Sequence, residues 1–383
     1  MAQIKNVRFG HFISIGIIVT ALITVASPEA HKGITSKYTY NDDVFPIVQL
    51  RCGRCHFEGG PTPMSLLTYR DAMPWAESIR EQLTSEAMPP WYTDPLGPAF
   101  KGGHSLSTKE FDVLLTWATG GTPEGNPEKN PSPVPRTASW QSGVPDLALP
   151  MVSPHTLPAG TRQDIHSFSV KTDLDKDSWI RSIDLLPGTP SMVRSALISI
   201  RDGAVLANWL PGHDVIPAPS GTAFHLPAGA TLDIKISYKK HWRDEAKDQT
   251  DLSTLGLYLT DPPLSGRSIE TLALAPADNI NDQRTVTLKL PASVRLLALR
   301  PQLDQVYDSI TISAISPTAR EIDIFRLHAA RPEWNRRYWL NDPIELPKGT
   351  TIKLNITPAT STNTSQLLQQ TEPLQIALEI LKL

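Results

Sequence analysis

The feature that most restricts the fold of this chain is a series of short runs in residues 195–383, many of which alternate apolar and polar side chains. Alternation is the period of a β-strand, whose successive side chains point to opposite faces of a sheet. Breaks such as Pro-Ala-Gly and Pro-Lys-Gly separate the runs, as turns do. Two β-sandwiches are therefore predicted, at residues 146–263 and 264–383, divided near Pro262 and Pro263. The runs are residues 195–201, 230–238, 253–260, 284–290, 293–300, 309–315, 321–327, 350–357 and 374–383.

One phrase occurs once in each half of this region. "LPAGATLDI" at 226–234 matches "LPKGTTIKL" at 346–354 closely. The match indicates a single hairpin element that is used twice. Internal duplication and convergent turn chemistry both explain it.

The overall composition is typical of a globular protein with few long helices. The 383 residues include 35 prolines, which disfavour long helices and suit turns, edge strands and linkers. Charged residues make up 20% of the chain and hydrophobic residues 40%, so the chain is expected to fold. The net charge of −3 provides no broad basic field, and no nucleic-acid partner is expected.

The N-terminus has the pattern of a secretory signal. Lys5 and Arg8 form a short basic region before the uncharged run at 12–26, and Thr24 and Ala26 are small residues suited to cleavage. A membrane span needs about 20 apolar residues, so a signal peptide at residues 1–30 is predicted. The protein is then exported, to the periplasm or the cell envelope. The alternative is an uncleaved N-terminal anchor, which would be its one contact with the membrane.

Both cysteines of the chain lie in "LRCGRCHFEGG", residues 50–60. Cys52, Cys55 and His56 form C-x-x-C-H, the attachment signature of c-type haem. Each thiol would form a thioether to one haem vinyl group, and His56 would bind the iron as proximal ligand. A thioredoxin-like pair would need a βαβ context, and a disulfide would leave His56 without a purpose. One covalent haem c is therefore predicted.

Helical patterns surround the motif. Short helices are predicted at 43–51 and at 75–83. A third begins with Ser107 and Glu110, the two ends of a capping box, and stops at Gly120-Gly121. This arrangement resembles small cytochromes c. The predicted fold class is therefore multidomain, with an all-α cytochrome c domain at 31–121, a Pro-rich linker at 122–145 and an all-β region after it.

The sixth iron ligand is expected from later in the same domain. Met88 precedes two prolines in "AMPPWYTDP", and a thioether held on a stiff loop suits haem iron. Met88 is also an ordinary candidate for the core. His104 and Met64 are rival ligands, and a vacant sixth position is the remaining alternative. Trp91 and Tyr69 are candidates for the haem wall, although either could instead belong to the core.

Two blocks carry a family resemblance. The block from "VFPIVQLRCGRCH" to "AMPPW" resembles the cytochrome c region of bacterial exported proteins, in which it precedes a copper type II, ascorbate-dependent monooxygenase-like region. Residues 208–238 and 333–352 resemble stretches of the two copper domains. The resemblance implies two eight-stranded jelly-roll sandwiches in tandem. It also implies two copper sites, with imidazole ligands and one methionine thioether, that hydroxylate a C–H bond.

The chain departs from that family at the ligand positions. Residues 193–196 replace a His-His pair, residues 237–239 replace His-Tyr-His, and residues 301–304 replace Pro-His-Met-His. Arg194, Lys239 and Lys240 bring positive charge to these places, and no methionine follows Met192. Copper is therefore not expected. The remaining histidines are scattered singly: His155, His166, His213, His225, His241 and His328.

These patterns predict a periplasmic c-type haem protein that transfers single electrons, and they favour an electron carrier over an enzyme. The β region would place the haem or dock to an unknown redox partner protein. One alternative is a copper- and ascorbate-dependent monooxygenase with unrecognised ligands. Another is a non-catalytic module that binds a partner or senses redox state.

Overall fold

The computed structural model of the chain describes residues 35–90, 93, 97–103, 105–129, 132, 139–275, 284–332, 335–359 and 373–383. The predicted signal peptide at residues 1–30 lies outside the described residues, as do Trp91 and His104. No helix within the described ranges is both long and apolar enough to cross a membrane.

Eighteen strands form in the described part of the chain, and their pairings are antiparallel. Each of the nine runs read from the sequence overlaps a strand. The first ten strands are β1 (Leu147–Pro150), β2 (His155–Leu157), β3 (Gln163–Lys171), β4 (Ser178–Leu186), β5 (Val193–Ile200), β6 (Val205–Trp209), β7 (Phe224–Leu226), β8 (Thr231–Lys239), β9 (Gln249–Asp251) and β10 (Thr254–Thr260). The others are β11 (Glu270–Leu274), β12 (Arg284–Lys289), β13 (Val294–Gln302), β14 (Tyr307–Ile315), β15 (Glu321–Ala330), β16 (Tyr338–Leu346), β17 (Thr351–Pro358) and β18 (Gln375–Lys382).

The strands form two units with the same topology. Strands β1–β10, which we call the first sandwich, contain the sheets β1-β10-β4-β7 and β3-β8-β5-β6. Strands β11–β18, the second sandwich, contain β11-β18-β13-β16 and β12-β17-β14-β15. When β2 and β9 are left out, the order of the eight remaining strands is identical in the two units. Strands β2 and β9 form an additional two-stranded ribbon in the first sandwich.

Irregularities in strand pairing also recur at matching places. The register of β5 with β8 shifts between Val193 and Ser195, and that of β14 with β17 between Tyr307 and Ser309. A second matching pair of shifts lies in β10 against β4 and in β18 against β13. Because a β-bulge redirects the residues around it, these shared shifts align the two sandwiches residue by residue.

Each sandwich packs a hydrophobic core between its two sheets. The first core contains Ile180 from one sheet and Ile234 from the other, and the second contains Leu296 and Leu354 in the same way. The first core also includes Trp339 of the second sandwich. Since the cores touch, the domain boundaries near residue 263 stay a prediction. The jelly-roll character expected of the β region agrees with these sheets.

The predicted all-α cytochrome c domain is wrong. Residues 35–129 form only short helical elements within their described parts, and the longest has 12 residues. Isolated bridges join Thr93 to Leu327 and Phe100 to Leu340, so this segment is paired to strands of the second sandwich. The protein is mostly β. The helical elements are a turn at Tyr40–Val44, α1 (Phe45–Ile47), a turn at Val48–Cys52, α2 (Tyr69–Ala72), a turn at Met73–Trp75, α3 (Ala76–Thr84) and α4 (Thr108–Thr119).

The prediction failed because helix signals act over a few residues and do not show which other elements a helix packs against. The capping box is present, with Ser107 and Glu110 each accepting a hydrogen bond from the backbone of the other. Helices this short are marginal alone and depend on tertiary packing. Here the 35–129 segment buries a small core around Trp117 and its later part packs against the β strands. The start of the predicted linker also packs, because Tyr40 donates its N–H to the Pro123 carbonyl.

Candidate functional site

The C-x-x-C-H motif lies on a single turn that continues from the helical turn Val48–Cys52. The Cys52 carbonyl accepts the N–H of Cys55 at 3.0 Å and that of His56 at 2.9 Å. Neither cysteine forms a disulfide. The local sequence therefore places two sulfurs and one imidazole on one turn of backbone.

Cys52 lies against the small core of the N-terminal segment. Burial raises the pKa of its thiol to about 12, and the neighbouring Cys55 adds to the increase. Reactive cysteine pairs of the thioredoxin type have thiol pKa values at or below about 7. The Cys52 environment is thus the opposite of the one that activates a thiolate for disulfide exchange.

His56 keeps some exposed surface, but its imidazole lies among protein atoms. Desolvation lowers the pKa of His56 to about 4, and the Met64 backbone opposes this decrease. Nδ1 is sealed from solvent and makes no well-formed hydrogen bond within the described residues. At pH 7 the ring is neutral, which is the form that binds a metal.

The other side of the motif contacts the first sandwich through the loop after β6, residues 210–216. The Cys55 thiol donates to the Pro211 carbonyl at 3.3 Å. Gly212 has a φ of +73°, and a Cβ there would lie 2.5 Å from the Cys55 sulfur. Arg54 forms an ion pair with Asp214. Glycine is therefore required at 212 for this close approach as well as for its backbone conformation.

A second contact joins the motif segment to the first sandwich at Arg194 and His241. His241 interacts with the Pro61 backbone, and its pKa is lowered by burial and then by the charge of Arg194. Burial lowers the pKa of Arg194 itself to about 10. Arg194 is the bulged residue at the start of β5. A position where the resemblance places a copper ligand thus carries a largely desolvated guanidinium beside the C-x-x-C-H segment.

The other two positions expected to lack copper ligands are also occupied by side chains with their own contacts. Tyr238, at the end of β8, is buried and donates to Asp251 at 3.2 Å. In the second sandwich Leu303 is buried, and Asp304 accepts a hydrogen bond from Tyr307.

The structure brings some predicted haem residues together but not all of them. Met64 and Tyr69 pack against the same small core as Cys52. Tyr69 lies 5.9 Å from Tyr40 between ring centroids, the arrangement of a core aromatic. Met88 is half-buried and follows α3, where its N–H donates to Gln82. Its neighbours Glu86 and Pro90 line a small cavity against the end of β15 rather than against the motif.

A cluster of possible metal ligands was missed in the sequence. His155 of β2 and Asp164 and His166 of β3 bring one donor atom each to within 4.8 Å of one another. His155 Nε2 lies 3.0 Å from Asp164 Oδ2. The spacing of 11 residues between the histidines gives no local signal, because only the packing of β2 beside β3 joins them.

Comparisons with known proteins leave the family open. No family model matches the chain, and no curated protein matches it. Solved structures show remote similarity: the major capsid protein P2 from bacteriophage PM2 has 13% identity and a TM-score of 0.30, covering 61% of this chain and 96% of that one. An oxalate decarboxylase structure has 10% identity and a TM-score of 0.16, covering 62% of this chain and 77% of that one. Similarities this low carry no argument about function.

Proposed function

We propose that this protein is an exported haem protein that transfers single electrons, with one haem c attached to Cys52 and Cys55 and bound through iron to His56. We further propose that it is a relative of the copper type II, ascorbate-dependent monooxygenases that has lost the copper ligands. Its β region holds the haem segment in place. The iron would cycle between ferric and ferrous states, with an unknown redox partner protein supplying or accepting each electron.

The observation that carries this proposal is the state of the three motif residues. Two thiols that form no disulfide and a neutral imidazole share one turn, as the chemistry of haem attachment requires. The raised pKa of Cys52 argues against a dithiol redox site. Attachment would replace the S–H of Cys55, so its bond to Pro211 belongs to the thiol form.

The contacts of the motif favour haem placement as the role of the β region. The 210–216 loop packs on Cys55, Arg54 pairs with Asp214, and His241 contacts Pro61. These contacts involve three separate parts of the motif segment. A rigid support of this kind fixes the distance and orientation over which an electron must travel.

Met88 stays our proposed sixth ligand because it stands before two prolines on a stiff segment, with Met64 as its rival. Met64 packs against the same small core as Cys52, whereas the neighbours of Met88 line a cavity against the end of β15. His104, the other rival, and Trp91, the haem-wall candidate beside Met88, lie outside the described residues.

The copper-dependent alternative is disfavoured by charge. Arg194 occupies an expected ligand position, and a buried guanidinium offers no lone pair to a metal. We therefore infer that neither of the two family copper positions binds copper.

The proposal is tested by producing the exported protein in cells that attach haem to C-x-x-C-H motifs. We expect one haem per chain that remains attached during denaturing electrophoresis. Cys52→Ser, Cys55→Ser and His56→Ala should each reduce or abolish attachment or change the iron spectrum. The matched control, His225→Phe, alters a histidine on the first sandwich and should leave haem content unchanged.

Two further outcomes would contradict the proposal. The first is a purified chain without covalent haem that retains two tightly bound copper ions, which would support a monooxygenase. The second is rapid carbon monoxide binding by the reduced protein, which would indicate an open sixth position and favour sensing. Met88→Ala is expected to create that open position, whereas Met64→Leu should not.

A further inference from the structure

We propose that His155, Asp164 and His166 form a binding site for one divalent transition-metal ion of the Zn²⁺ or Cu²⁺ class, separate from the haem motif and from the expected copper positions. The three side chains belong to β2 and β3 of the first sandwich. The inference does not depend on the proposed haem function.

The geometry of the cluster is close to that of a metal site. His155 Nε2 and Asp164 Oδ2 are 3.0 Å apart, and the three donor atoms all lie within 4.8 Å of one another. Ligands bound to zinc at about 2.0–2.1 Å in a tetrahedron lie about 3.4 Å apart. The two imidazole rings are stacked, with centroids 4.2 Å apart. A modest rotation of His166 would therefore complete a three-ligand set.

The donor types select the class of ion. Two imidazoles and one carboxylate suit Zn²⁺ and Cu²⁺, whereas Ca²⁺ and Mg²⁺ prefer oxygen donors alone. Three protein ligands leave a fourth position for water or an exogenous ligand, as in catalytic rather than structural zinc sites. The site is therefore expected to exchange its metal and to bind small anions.

The surroundings favour a cation. Asp251 lies close enough to influence His155 electrostatically, so a second carboxylate adds negative potential. Tyr238 packs against the His155 ring, with centroids 4.9 Å apart, and Phe168 packs against His166 at 4.6 Å. These aromatic contacts hold both rings in position.

The cluster depends on an element that the second sandwich does not share. His155 lies on the β2–β9 ribbon, and no equivalent ribbon accompanies β11–β18 in the described residues. The register of β3 on β8 pairs His166 with Ile236, and the matching position on β12, paired with Ile356, is Arg284. The cluster is thus an addition to one copy of a repeated architecture.

The chain contains a matched control. His225 Nε2 lies 3.0 Å from Asp177 Oδ2, the same separation as in the proposed site. The neighbouring ring is Trp179, at 5.1 Å between centroids, and not a second histidine. This pair has the histidine and carboxylate of the site but lacks its third ligand.

The experiment titrates the full exported chain with Zn²⁺ by calorimetry after chelation. The wild type is expected to bind one ion at this site. His166→Phe, which keeps the ring stack, should weaken that binding at least ~100-fold, and Asp164→Asn at least ~10-fold. His225→Phe should bind as the wild type does. Copper electron paramagnetic resonance should show two coordinated nitrogens that become one in His166→Phe.

Several results would overturn the proposal. Absence of Zn²⁺ binding by the wild type is one, and wild-type binding by both His166→Phe and Asp164→Asn is another. An equal loss in His225→Phe would place the ion elsewhere. Thermal unfolding of each variant separates a lost site from a lost fold, and Asp164→Asn provides the test if His166→Phe does not fold.

Discussion

The two sandwiches share strand order and bulge positions but place different chemistry at matching sites. Alignment on the bulges makes Arg194 of β5 equivalent to Asp308 of β14. The same alignment makes Asp184 of β4 equivalent to Arg300 of β13. Backbone hydrogen bonds between strands hold this architecture together. They do not depend on which side chains occupy the matching positions. The first sandwich contacts the C-x-x-C-H turn through its 210–216 loop, whereas the second contacts the later part of the N-terminal segment.

Buried polar groups show the same contrast. In the first sandwich Asp184 accepts from Trp209 at 3.0 Å and from the Gln141 backbone at 3.1 Å. In the second, Glu379 is fully buried and pairs with Arg300 and Arg337. Arg337 also donates to the Leu206 carbonyl of the first sandwich at 2.6 Å. The buried ion cluster thus lies within the second sandwich, and Arg337 links it to the first sandwich through this hydrogen bond.

The largest effect is expected from Glu379→Ala, which removes the carboxylate of that buried cluster. Removal of one partner leaves two buried guanidinium groups without their carboxylate, at a cost of ~3–5 kcal/mol. Denaturant unfolding should report this loss. Glu345→Ala removes an exposed pair with Arg295 and should cost less than ~1 kcal/mol. Equal midpoints for the two variants would contradict the role of the buried cluster.

Gly212→Ala tests the contact between the first sandwich and the C-x-x-C-H turn. A left-handed residue other than glycine costs ~1–2 kcal/mol, and the new Cβ would meet Cys55 and Arg54 at 3.0 Å or less, which adds ~1–3 kcal/mol. Hydrogen exchange should show faster opening at 52–56. Gly221 has a similar φ of +77° but open space around it, so Gly221→Ala should leave that turn protected. The same exchange in both variants would refute the docking contact.

Tyr238→Phe should cost about 1 kcal/mol at pH 7, because the hydroxyl donates to buried Asp251. Burial and the Asp251 charge raise the pKa of Tyr238. The extra free energy of unfolding that Tyr238 gives over Phe is therefore fully present below the unfolded tyrosine pKa of about 10. It declines as the pH rises above that value, because Tyr238 then ionises in the unfolded chain but not in the folded one. Urea unfolding at several pH values measures this. Tyr38→Phe, which loses an exposed bond to Asp112, should change stability less at pH 7. A constant advantage for Tyr238 at alkaline pH would argue against a raised pKa.

Arg194→Met should produce the smallest effect, an increase in the pKa of His241. Burial and then the Arg194 charge lower that pKa, and the substitution removes only the second cause. Histidine titration by nuclear magnetic resonance gives the value, and His225 is an internal control. A further decrease in the pKa would show that Arg194 does not act on His241.

The sequence predicted elements whose signals are local. The nine strand runs, α3, α4 and its capping box were visible because side-chain period and cap residues act over a few positions. Strand β3 was missed because His166, Ser167 and Ser169 interrupt its apolar pattern. Strand β4 was missed because four consecutive residues, 182–185, are buried, so the strand does not alternate.

The C-x-x-C-H motif was likewise local, since its three residues lie within five positions of the chain. The His155 cluster was not, because its members come from two strands. The same limit explains the wrong cytochrome domain: α3 and α4 were read correctly as helices, yet their number and length are too small for an all-α domain.

By itself the sequence determined that the chain after about residue 146 forms a series of short β-strands and that one turn carries two thiols and an imidazole, because both properties arise between residues close in the chain. Only the tertiary structure decided which strands pair, that the N-terminal segment packs on the β region, and that His155, Asp164 and His166 meet. Those contacts join residues far apart in sequence. They stabilise the fold only once the long loops between those residues have closed, which costs entropy.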